Sequence, residues 1–155
     1  MGPSYGKSQE AFDHMKEVMG TCPVLALPDF NLPFVLECDT SDKGIGAVLM
    51  QGENPIVFEG RKLSQPKRLY SIYDKEMLGI MHALTKFRLY LVGSKFLVKT
   101  DHNSLKYFLE QKDLSEHQQK WVTKVHAFDF DIEYVKGKKN IVACYRAVCI
   151  LGLRL

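Results

Sequence analysis

No stretch of this 155-residue sequence stays apolar for the roughly 18–20 residues that a membrane-spanning helix needs. The first residues, MGPSYGKSQE, hold no apolar core of a secretory leader. No membrane partner is therefore expected. The four cysteines, Cys22, Cys38, Cys144 and Cys149, form no CxxC pair and have no zinc-type spacing to histidine. Free buried thiols in a reducing compartment fit that usage better than a disulfide framework or a zinc site. Internal repeats and low-complexity tracts are also missing, which argues against solenoid and disordered classes. Charge of one sign is scarce as well: 21 Lys and Arg against 18 Asp and Glu leave a net +3. Such a balance permits a nucleic-acid partner without demanding one.

Hydrophobic residues make up 46% of the chain, enough to bury a core in one ordinary domain. Residues 8–20, SQEAFDHMKEVMG, put Phe12, Met15, Val18 and Met19 on one helical face, with Ser8 as N-cap and Gly20 as stop. Pro23, Pro28 and Pro33 mark 21–33 as an extended connector. Three strands are predicted next, over 33–39, 44–51 and 55–63, joined by turns short enough for an antiparallel meander. The period then changes. Ser71 with Asp74 resembles a capping box and opens a helix over 72–91, which Gly93 ends. A strand over 95–100, helical stretches over 103–111 and 115–127, and a last strand over 129–135 complete the pattern. A meander followed by strand–helix–strand crossovers predicts an α/β fold with a mixed sheet flanked by helices.

Three acids fall at informative places. Asp39 and Asp101 each end an apolar strand run. Glu76 shares the helical row Tyr73–Glu76–Ile80–Ala83–Phe87, which is otherwise an apolar stripe facing the sheet. If the strands ending in Asp39 and Asp101 lie parallel and adjacent, their carboxyl ends coincide where open α/β sheets place ligands. Clustered carboxylates repel one another, and hard divalent cations such as Mg²⁺ or Mn²⁺ relieve that repulsion. Spacing alone leaves the alternative open that these are turn and cap residues.

The motifs PVLALPDF (23–30), FVLECDTSDKGIGAVL (34–49), RKLSQPKRLYSIYDKEMLGI (61–80), FRLYLVGSKFLVKTDHNSLKYFL (87–109) and FDFDIEYVKGKKNIVA (128–143) carry a resemblance. In this order and spacing they resemble the ribonuclease H domain of Ty3/gypsy-type LTR-retrotransposon polyproteins, with pararetroviral relatives. The resemblance implies an RNase H-like fold with a mixed five-stranded sheet. It also implies cleavage of the RNA strand of RNA/DNA hybrids by two-metal hydrolysis with Mg²⁺, for which Mn²⁺ can substitute. Residues 1–32 would be the helix and connector from the reverse-transcriptase region of the same polyprotein, 33–143 the ribonuclease H domain, and 144–155 an atypical tail. No YxDD polymerase motif is present. The implied location is the cytoplasm or an intracellular virus-like particle.

Carried over by position, Asp39, Glu76 and Asp101 would be the catalytic, metal-binding acids. Ser41, Lys43, Gly44, Tyr73, His102 and Asn103 would contact nucleic acid. The family's fourth acid follows the last strand, and here Cys144 stands in its place, with no Asp or Glu after Glu133. A thiol binds Mg²⁺ poorly, so the second metal site is expected to be weakened and activity reduced. The alternative is a catalytically inactive binding or structural module of a retroelement polymerase.

Overall fold

The computed structural model of the chain describes residues 25–41, 44–101, 106 and 109–135. Its elements are β1 (Val35–Thr40), β2 (Gly44–Gln51), β3 (Asn54–Lys62), α1 (Gln65–Arg68), α2 (Ile72–Lys86), α3 (Arg88–Leu91), β4 (Lys95–Thr100), α4 (Glu116–Val125) and β5 (Asp129–Tyr134). The strands form one sheet in the order β3-β2-β1-β4-β5. β1 pairs antiparallel with β2, and β2 with β3. β1 pairs parallel with β4, and β4 with β5. The predicted mixed five-stranded sheet is what forms.

Strand alternation assigns the two faces. Phe34, Leu36 and Cys38 of the first strand run, Ala47 and Leu49 of β2, and Phe96 and Val98 of β4 share one core with Met77, Ile80, Ala83, Leu84 and Phe87. Burying each such large side chain contributes roughly 1.5–3 kcal/mol. The opposite face holds a smaller cluster of Val48 and Met50 with Val35 and Phe58 packed on it. Cys38 is buried and forms no disulfide, as expected; the other cysteines lie outside the described residues.

Helix α2 starts where Ser71 Oγ accepts the Asp74 N–H at 3.1 Å. It does not reach residue 91. Phe87 caps it, and α3 follows as a separate short turn. Phe87 is only 2% exposed, so packing on the sheet breaks the helix where no glycine or proline announces it. Gly93, at φ 78°, makes the left-handed turn into β4. The α1 turn was not expected, because Pro66 at its start reads equally as a loop.

At the far end of the sheet, Gln51 pins the connector. Its Oε1 accepts the Asp29 N–H at 2.8 Å, and its Nε2 donates to Asp29 O at 2.6 Å and Leu32 O at 3.1 Å. The predicted helix over 8–20 lies outside the described residues, as do residues 103–105, 107 and 108 of the stretch over 103–111.

Candidate active site

The parallel register of β1 and β4 is Val35↔Leu97, Leu36↔Val98 and Glu37↔Lys99. Asp39 near the end of β1 and Asp101 just after β4 each stand two residues past the last paired rung, so both lie at the same end of the sheet. Both aspartates are half-buried. Opposite Asp39 on β2 stands Gly46, which presents no side chain to crowd it.

Glu76 reaches the same end of the sheet from the other layer. A Cβ on Gly79 would stand 2.8 Å from Thr40 Oγ1, so this part of α2 lies directly over the last residue of β1. Further along the chain, Tyr90 of α3 pairs edge-to-face with Phe34 just before β1. Helix α2 therefore runs opposite to β1, and Glu76, one turn before Gly79, belongs at the carboxyl end of the strand. It is 2% exposed, not a first-turn residue turned to water. Glu76 Oε2 and Asp101 Oδ1 are both shielded from solvent. Tyr73, expected on the buried stripe, is 48% exposed instead.

The oxygen-only donors of Asp39, Glu76 and Asp101 suit a hard divalent cation. Asp39 and Asp101 reach that end from neighbouring strands and Glu76 from α2. Among the described residues no group of three or more His, Cys, Asp or Glu is disposed to hold a metal ion.

Beside Asp39, Ser41 and Gly44 close the β1–β2 turn. Ser41 N–H donates to Gly44 O at 2.8 Å, and Gly44 N–H donates to Ser41 Oγ at 3.2 Å. A Cβ on Gly44 would meet Arg61 O at 3.0 Å, so glycine lets β3 approach there. Lys43, His102, Asn103 and Cys144 lie outside the described residues.

Residues 29–128 match the family model described as the RNase H-like domain found in reverse transcriptase. The chain belongs to this family. Its relatives include the retrovirus-related Pol polyproteins of transposons 297 and gypsy of Drosophila melanogaster. Transposon 297 is 40% identical over 134 residues, covering 86% of this chain and 13% of the relative. Gypsy is 34% identical over 137 residues, covering 87% and 13%. The Tf2-3 polyprotein of Schizosaccharomyces pombe is 32% identical over 143 residues, covering 86% and 11%. The RNase H-like domain thus spans only about an eighth of the length of such polyproteins, and it is of the LTR-retrotransposon type. Its fold is that of the foamy viral protease-reverse transcriptase solved with double-stranded DNA (TM-score 0.69, 16% identity, 86% of this chain, 30% of that one). LC11-RNase H1, solved with an RNA/DNA hybrid, shares it too (TM-score 0.55, 12% identity, 66% and 85%).

Proposed function

We propose that the RNase H-like domain is a metal-dependent endoribonuclease that hydrolyses the RNA strand of RNA/DNA hybrids. The observation that supports this reading is the parallel pairing of β1 with β4, which brings the strand ends carrying Asp39 and Asp101 side by side. Glu76, buried in the first turns of α2, supplies a third carboxylate at the same end. Divalent cations held there, Mg²⁺ or Mn²⁺, would activate a water and stabilise the leaving oxygen of a phosphodiester. Asp39, Glu76 and Asp101 would hold the cations through hard oxygen donors. The Ser41–Gly44 turn, with Lys43, would meet the RNA backbone next to Asp39, where 2′-hydroxyls distinguish RNA from DNA. Tyr73, His102 and Asn103 would touch the substrate on the rim.

Cys144 favours a second reading, an inactive RNase H-like module that serves a retroelement polymerase by binding or by structure alone. A labelled hybrid incubated with the chain in Mg²⁺, and separately in Mn²⁺, against Asp39→Asn separates the two. The enzyme reading expects cleavage that the substitution abolishes, stronger in Mn²⁺, and a higher rate in Cys144→Asp. Equal signal from the chain and Asp39→Asn in both metals overturns it.

A further inference from the structure

One exposed histidine near Glu76 is held by more contacts than its exposure requires. His117, in the first turn of α4, is exposed. Its ring stacks on Tyr70 with centroids 6.0 Å apart and planes 23° apart. It stands edge-on to Trp121 at 4.9 Å and 81°. Its Nδ1 lies 3.2 Å from Ser115 Oγ. Ser115 is the N-cap of α4, and its Oγ already accepts the Gln118 N–H at 3.4 Å. Nδ1 and the Ser115 hydroxyl share this hydrogen bond, and with Ser115 as its donor the ring proton lies on Nε2. Two aromatic contacts and one hydrogen bond thus hold the ring before any ligand arrives.

The same turn of α4 is tied to the helix that carries Glu76. Gln118 Nε2 donates to Asp74 Oδ1 at 2.9 Å, two residues before Glu76. On the same stretch of chain as Tyr70, Leu69, Ile72 and Tyr73 are 88%, 58% and 48% exposed, an apolar and aromatic rim where α2 begins. Lys120, the nearest cation on α4, is engaged by Glu116 at 3.4 Å. A ring already held in place is what this rim offers a ligand.

We propose that His117 is a nucleic-acid contact: its Nε2–H donates to a backbone phosphate oxygen of a duplex that lies across the Asp39–Asp101 end of the sheet. The proposal rests on reading an RNA/DNA hybrid as the ligand. A donor whose orientation is already fixed loses little entropy on binding.

Binding of a fluorescently labelled hybrid to the full chain carrying Asp39→Asn, at pH 8 and several salt concentrations, tests it. Hydrogen bonds to charged groups are strong enough that His117→Ala should weaken binding about tenfold. His117→Gln, which can place an amide N–H near the Nε2 position, should recover most of that loss. Because a neutral donor releases no counterion, the salt slope should match the parent in both variants. Binding by His117→Ala within twofold of the parent overturns the proposal. So does a loss that glutamine does not recover, or a salt slope reduced by about one. Imidazole ¹⁵N spectra of the unsubstituted ring read the same contact if a variant fails to fold: hybrid should shift Nε2, and an unmoved resonance overturns the proposal. Cleavage by the Asp39 parent is scored separately, so loss of the enzyme reading leaves the His117 result interpretable, and the reverse.

Discussion

At the scale of single residues, burial decides which side chains carry chemistry and which carry pH dependence. His82 on α2 is an example outside the site. Its Nε2 lies 3.1 Å from Glu59 Oε1 on β3, with Arg61 and Lys86 also acting on it. Burial outweighs the Glu59 contact and holds the imidazole below its ordinary value of 6.5. A depressed folded value means that the unfolded chain takes up the proton more readily. The stability from neutral His82 is thus complete above 6.5 and is lost as pH falls through the lowered folded value. Thermal melting of the parent should fall between pH 7.5 and 5, and more steeply than that of His82→Gln. Parallel curves would show that His82 contributes nothing to the slope. Glu76 was legible from the helical row, but its 2% exposure was not, because periodicity gives a face and not the depth at which a helix meets a sheet.

Among elements, the seating of α2 on β1 is what brings Glu76 to the strand ends, and Gly79 is the contact point. Alanine there gains up to about 1 kcal/mol of helix propensity. Its Cβ would also stand 2.8 Å from Thr40 Oγ1 and 3.6 Å from Ile45 Cγ2, an overpacking that costs about 1–3 kcal/mol. Thr40 Oγ1 is buried without a hydrogen-bond partner among the described residues, so Thr40→Ala should be nearly neutral. Gly79→Ala alone should therefore destabilise by about 1 kcal/mol, and in the Thr40→Ala background it should stabilise. Denaturant melts of the four proteins in this cycle check the change of sign. A Gly79→Ala effect equal in both backgrounds would mean that the two residues do not touch. An isolated glycine inside a helical pattern was the sequence signal for this close approach. The strands were legible because apolar runs end at turn residues, and β2 begins and ends where expected. The break at Phe87 and the α1 turn were not, since tertiary packing and not local propensity sets them.

Across the whole molecule, the order β3-β2-β1-β4-β5 matters more than any one element, because it alone makes β1 and β4 neighbours. A meander and a crossover predict a mixed sheet, and the family motifs named the acids. The pairing itself is what the structure adds: β1 lies parallel beside β4, and Gly79 of α2 lies over the end of β1. Which strands pair is a property of topology, which a sequence shows only as element order. The metal binding proposed above does not depend on turnover, and it requires the two aspartates to share one site. Mn²⁺ binding, followed by electron paramagnetic resonance, should be compared in the unsubstituted chain, Asp39→Asn, Asp101→Asn and the double variant. Shared ligation predicts that each single substitution weakens Mn²⁺ by about tenfold or more, with little further loss in the double. Undiminished Mn²⁺ binding in either single variant, or losses that simply add in the double, would contradict it.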